Sequence, residues 1–206
     1  LPEETALELK EYGKVKARKY ESVTVLFTDF KGFTSYSEDL SPEALVETID
    51  FYFSKFDAII ENYGLEKIKT IGDSYMCVGG LHGEEKNHAV RMVSAALDIV
   101  AFVEETKNDI KATELSFDIR IGINSGPVVA GVVGTHKFAY DIWGDAVNVA
   151  ARMESMSQAG KINISEMTYH LVKKEFICTP RGVIAIKNRG EMDMYFIEGR
   201  ISEVTA

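Results

Sequence analysis

Between residues 21 and 125 the hydrophobic residues switch back and forth between strand-like and helix-like spacing, and the order of the switches leaves few folds open. ESVTVLFTD (21–29) is a β-branched and aromatic run that reads as a buried strand. Ser41-Pro42-Glu43 is a helix start, a capping hydroxyl followed by proline where the missing N–H costs nothing. Leu45, Ile49, Phe53, Phe56 and Ile60 continue it and predict a helix over 42–63. LEKIKTI (65–71) and SYMCVGG (74–80) are short strands on either side of Gly72-Asp73, a hairpin turn. Val90, Val93, Ala96, Leu97, Ile99, Val100 and Val103 predict an amphipathic helix over 85–107, and LSFDIRIGINS (115–125) alternates like a strand with one wet face.

Strand, helix, strand, strand, helix, strand is the βαββαβ order of ferredoxin-like folds, an antiparallel sheet with helices on one face. PVVAGVVGT (127–135) predicts a further strand and 144–157 a helix, with shorter strands near 161–164, 175–179, 183–187 and 194–198. The expected class is therefore α+β, a ferredoxin-like βαββαβ core with additional strands and helices in one domain over 21–199. Residues 1–20 mix a short helical pattern with a Lys/Arg-rich stretch; Leu7 and Leu9 are too few to build a core, so this segment reads as a connector to an upstream regulatory region. Residues 200–206 read as a tail, and a start at Leu1 without Met reads as a fragment of a longer protein.

Composition narrows the functions. No stretch reaches the roughly 18 apolar residues of a membrane span. A net charge of −9 argues against nucleic acid or anionic lipid as a partner. It leaves a nucleotide substrate open, because a metal ion brings a triphosphate to an acidic site. Cys77 and Cys178 are too few for a disulfide framework and lack metal-ligand spacing, so a cytoplasmic setting is expected.

Asp29 ends the first strand and is followed by Phe30-Lys31-Gly32-Phe33-Thr34, a turn whose backbone amides could cradle phosphate oxygens. Taken alone, Asp29 is more simply a helix cap or turn former, and Asp73 belongs to a normal hairpin turn. The topology is more informative, because the first strand's end and the hairpin turn fall on one edge of such a sheet. Two carboxylates meeting there repel unless cations lie between them, and two Mg²⁺ or Mn²⁺ ions held by such acids suit in-line phosphoryl displacement. Arg120 lies on an alternating strand where a charge could simply face solvent. Asn148 and Arg152, four apart on a small-residue helix, share a face and are either a surface pair or groups that stabilise phosphoryl charge.

FTDFKGFT (27–34), EKIKTIGDSYM (66–76), IRIGINSGPVVAGVVG (119–134) and YDIWGDAVNVAARMES (140–155) together resemble the class III nucleotidyl cyclase catalytic domain. The resemblance covers most of 21–199 and implies a head-to-tail dimer with active sites between subunits. It implies that Asp29 and Asp73, with the Phe30 carbonyl, hold two divalent cations, and that Lys31, Gly32, Phe33 and Thr34 cradle the phosphates. Lys69 and Asp141 match the pair that reads the purine; adenylyl members have this Lys/Asp combination where guanylyl members use Glu and Cys. Asn148 and Arg152 match the groups that orient the ribose and stabilise the transition state. Arg120 and Arg189 fall where the family has phosphate-contacting basic residues, with Lys187 a competitor for the second place. The implied activity is conversion of ATP to cyclic AMP and pyrophosphate in a homodimer, fed by an upstream sensor. The alternatives are a guanylyl cyclase, or a non-catalytic dimerising or nucleotide-sensing module of the same fold.

Overall fold

A computed structural model describes residues 1–83, 86–109 and 117–204. In chain order the elements are α1 (Glu3–Tyr12), β1 (Arg18–Lys31), α2 (Phe33–Ser37), α3 (Pro42–Asn62), β2 (Glu66–Ile71), β3 (Ser74–Gly79), α4 (His88–Asn108), β4 (Asp118–Val133), β5 (Ala139–Trp143), α5 (Asp145–Ser155), β6 (Ile162–Ser165), α6 (Glu166–Val172), β7 (Phe176–Ile186), β8 (Gly190–Arg200) and α7 (Ile201–Val204). The strands form one sheet in the order β2-β3-β1-β4-β6-β8-β7, with β5 paired to the outer half of β4. The β4–β6 pair is parallel. The expected βαββαβ core is present, with β1 between β3 and β4.

Local chemistry sets the elements that frame the site. The Ser41 hydroxyl accepts from the Ala44 N–H and Pro42 opens α3, as its sequence requires. Gly72 takes φ +59° in the two-residue loop that joins Ile71 to Ser74, a conformation that favours glycine. In β1, Leu26 and Phe30 point to α3 and α4, while Val23, Val25 and Phe27 point to the opposite face, which α5 covers through Ala146 and Ala150.

Helices therefore cover both faces of the sheet, where the sequence predicted one. The same packing corrects the wet face expected of the fourth strand. Ile119, Ile121 and Ile123 face α3 and α4, and the intervening Gly122 and Asn124 lie beneath α5. Gly122 allows this approach, since a Cβ there would stand 1.9 Å from the Glu154 backbone nitrogen. The strand's predicted first residues, 115–116, lie outside the described residues, as does residue 85 of the second helix.

Two predicted breaks are absent. Residues 115–125 and 127–135 do not form separate strands, because Ser125-Gly126-Pro127 continues through β4. Pro127 sits where the β1–β4 register shifts between Tyr20 and Val23, so its missing N–H interrupts no regular ladder. Likewise 175–179 and 183–187 join as β7, with the Pro180–Gly182 stretch absorbed as a bulge. The first strand begins at Arg18, so the last three residues of the expected connector belong to the sheet. No helix among the described residues is long and apolar enough to cross a membrane.

Candidate active site

The antiparallel β1–β3 pairing carries the end of β1 to the β2–β3 turn, bringing Asp29 and Asp73 together. The Ser74 hydroxyl donates to the Thr28 carbonyl at 2.8 Å, and the Phe30 N–H donates to Asp73 Oδ2 at 3.4 Å. The Asp29 carboxyl is pushed up to about 7, chiefly by burial, then by a hydrogen bond with Asp73 and repulsion from Asp73 and Glu154. A hydrogen bond from Arg120 pulls the other way.

Arg120 stands opposite Asp29 in the β1–β4 register. Its guanidinium donates to Asp29 Oδ2 at 2.9 Å and lies 3.2 Å from Glu154 Oε1 on α5. Its guanidinium is thus partly exposed and engaged by two carboxylates rather than free on a wet face. Three acids here face one arginine, so the ionised cluster retains an excess of negative charge.

Among the described residues no three His, Cys, Asp or Glu side chains form a metal cluster. The oxygen donors that fit are the Asp29 and Asp73 carboxylates and the Phe30 carbonyl, a set suited to hard cations whose remaining ligands are water and phosphate oxygens. The two carboxylates, Arg120 and the Lys31–Thr34 turn line one hollow of about 210 Å³. Gly32 is left-handed at φ +79° and leads the turn into α2. The Phe30 and Phe33 rings are buried beneath it against Phe117, leaving their backbone atoms to serve the hollow.

A second hollow, of about 310 Å³, is lined by Lys69 and Asp141 with Glu66, Ile68, Phe138 and Tyr140. Lys69 Nζ lies 2.6 Å from Asp141 Oδ2, although 72 positions separate the residues in sequence. Asp141 Oδ1 accepts the Ile142 N–H at 2.8 Å, which holds the carboxylate in place. The result is a cationic donor beside an anionic acceptor at the mouth of this hollow.

Asn148 and Arg152 are exposed on α5 and line a third cleft, of about 520 Å³, with Asp145, Val149 and the 185–188 segment of the β7–β8 hairpin. Lys187 lines this cleft, whereas Arg189 is held by an ion pair with Asp145. Of the two basic candidates, Lys187 is therefore the one that faces Asn148 and Arg152. Sequence reasoning missed Glu154 altogether, because a lone glutamate on an amphipathic helix carries no signal that it will meet Arg120 on a strand 34 positions earlier. Within one chain the candidate residues thus divide among three hollows.

The family model described as the adenylate and guanylate cyclase catalytic domain matches residues 15–199. An adenylate cyclase of Mycobacterium bovis is 40% identical over 201 residues, covering 97% of this chain and 45% of its own length. The chain thus spans less than half of that relative. The catalytic core of a rhodopsin-guanylyl cyclase with converted specificity, solved with ATPαS, superposes with a TM-score of 0.84 at 42% identity, covering 90% of this chain and all (100%) of that one. A guanylyl cyclase domain from the fungus Blastocladiella emersonii, solved as a non-standard dimer, gives 0.80 at 40% identity, covering 89% of this chain and 99% of its own. A family match over nearly the whole chain, on a sheet that juxtaposes both motif aspartates, makes this chain a class III adenylyl/guanylyl cyclase catalytic domain.

Proposed function

We propose that this domain converts ATP to cyclic AMP and pyrophosphate. The observation that carries the choice of purine is the 2.6 Å pair of Lys69 and Asp141. Adenine offers an acceptor at N1 and donors at its 6-amino group. Lys69 donates to the first and Asp141 accepts from the second, while guanine presents the reverse polarity. Both kinds of cyclase occur among the relatives, so purine choice rests on this pair.

The reaction forms a bond from the ribose 3′-oxygen to the α-phosphorus and breaks the bond from that phosphorus to the departing pyrophosphate. Asn148 orients the ribose. Arg152 places its guanidinium against the α-phosphate as charge accumulates there, a contribution of about 3 kcal/mol. The Lys31–Thr34 amides and Lys187 hold the phosphates. Asp29, Asp73 and the Phe30 carbonyl would hold divalent cations, which when bound would supply Lewis-acid activation of the 3′-hydroxyl and charge neutralisation at the triphosphate. The catalytic unit runs from β1 at Arg18 to residue 199, with the residues before it joining it to an upstream sensor. The separation of the candidate residues into three hollows supports a head-to-tail homodimer, in which one protomer's aspartates face the partner's α5 and purine reader.

The test offers equal ATP and GTP with Mn²⁺ over a series of protein concentrations. Cyclic AMP is expected in excess, with specific activity rising with concentration. Excess cyclic GMP would overturn the purine assignment, and absence of any cyclic product would favour the nucleotide-sensing alternative.

A pH dependence follows from Asp29. Its carboxyl titrates near 7, so cation binding must displace a proton at lower pH. Mn²⁺ affinity should rise up to about tenfold per pH unit below that point and level off above pH 8. The folded chain holds this proton more tightly than the unfolded chain, so the metal-free domain should lose stability as pH rises from about 4 through 7. Calorimetric Mn²⁺ titrations at pH 6, 7 and 8 check the first expectation, and a flat affinity would contradict it.

A further inference from the structure

Helix α5 presents Asn148 and Arg152 on its exposed face, and two asparagine side chains fasten its opposite face to the sheet. Asn124 on β4 donates Nδ2–H to the Ala146 carbonyl at 2.9 Å, in the helix's first turn. Asn163 on β6 donates Nδ2–H to the Met153 carbonyl, also at 2.9 Å, in its last turn. The two carbonyls lie seven residues apart, about two turns along one face. Two such bonds fix both the rotation of the helix and its position along its axis.

The sheet is arranged for these bonds. Gly122 and Asn163 are partners in the parallel β4–β6 ladder, and the absent side chain of Gly122 lets the Met153–Glu154 backbone descend. Ser165 donates its hydroxyl to Asn124 Oδ1 at 2.6 Å, which commits the Asn124 amide nitrogen to Ala146. Asn163 is fully buried, and its Oδ1 has no hydrogen-bond partner among the described residues. Its nitrogen also meets the sulfurs of Met153 and Met194, at 3.7 and 3.4 Å. An apolar side chain of similar volume would remove the orphaned oxygen but leave the Met153 carbonyl without this donor, so the two effects oppose one another and the amide has little net value for stability. What asparagine adds at this place is the donor aimed at the helix.

We propose that Asn124 and Asn163 are positioning residues, a two-point clamp that holds Asn148 and Arg152 in register with the reacting phosphate. This rests on the roles given to Asn148 and Arg152 above. A transition-state group on a helix that slides or rolls by about 1 Å loses much of its effect, while ground-state binding of the nucleotide is little changed.

The test is Asn163→Leu and, independently, Asn124→Leu, each read by thermal melting and by kcat and KM for ATP. For Asn163→Leu the melting temperature should stay within about 5 °C of the parent's, kcat should fall about tenfold or more, and KM should stay within about twofold. In an Arg152→Ala background the same substitution should cost clearly less than it does in the parent, because only Asn148 is then left to position. Unchanged kcat in both variants would overturn the clamp. So would a large loss of melting temperature, which would assign the amides to stability, or a full additional loss in the Arg152→Ala background. An Arg152→Ala chain with undiminished kcat would instead overturn the role given to Arg152, a failure separate from that of the clamp.

Discussion

Mixing an Asp29→Ala chain with an Arg152→Ala chain restores cyclic nucleotide formation that neither chain supports alone. The expectation follows from where the residues stand. Asp29 lines the hollow at the end of β1, and Arg152 lines the cleft between α5 and the β7–β8 hairpin. If each site takes its aspartates from one protomer and its arginine from the other, a homodimer of either variant carries the defect in both sites. A mixed dimer concentrates both defects in one site and leaves the other intact. Random pairing gives about half mixed dimers, so the mixture should recover about a quarter of the parent's specific activity. Each variant alone should fall at least about 100-fold, the usual cost of removing a group that stabilises transition-state charge. Size-exclusion chromatography must show that the chains associate. Association without recovery would mean that all the groups act within one chain, and the three hollows would need another explanation.

What the sequence made legible follows a physical division. Local patterns succeeded: the Ser41-Pro42 helix start, the Gly72-Asp73 turn and the β1 run are each dictated by neighbours within a few residues. The meeting of Asp29 with Asp73 was legible too, since it needs only a hairpin and the β1–β3 pairing. Features that depend on distant packing were not. Gly122 and Asn124 look like the polar side of a half-exposed strand, and only α5, arriving from residues 145–155, makes them interior. Gly126-Pro127 and Pro180-Gly182 carry turn chemistry, but in place each is accommodated in a strand. The engagement of Arg120 by Asp29 and Glu154 joins β1, β4 and α5, a conjunction no local window contains. The short strand β5, which delivers Asp141 to Lys69, went unread for the same reason: it gains its place from the outer half of β4.

Replacing Lys69 by Glu and Asp141 by Cys together should turn the domain from ATP to GTP. Guanine carries an acceptor at O6 and a donor at N1. An ammonium and a carboxylate that suit adenine each meet a group of the wrong sense there, and an opposed pair costs more than an absent contact. The double substitution reverses both senses, since the glutamate accepts from N1–H and the thiol donates to O6. The ratio of kcat/KM for ATP to that for GTP should fall by about 10³ or more, within the discrimination that hydrogen-bond readers of this kind reach. The single substitutions should behave differently from the pair. Lys69→Glu alone sets two carboxylates against each other at a position where Nζ and Oδ2 now stand 2.6 Å apart, so it should lose activity with both nucleotides. Asp141→Cys alone leaves Lys69 without its counter-ion and should weaken ATP more than it helps GTP. The pair must therefore be strongly non-additive, as coupled neighbours are. The measurement is competitive turnover of an equimolar ATP and GTP mixture, with both cyclic products quantified for the parent, the single variants and the double variant. A double variant that remains active with its ATP preference intact would place purine reading outside the Lys69–Asp141 pair.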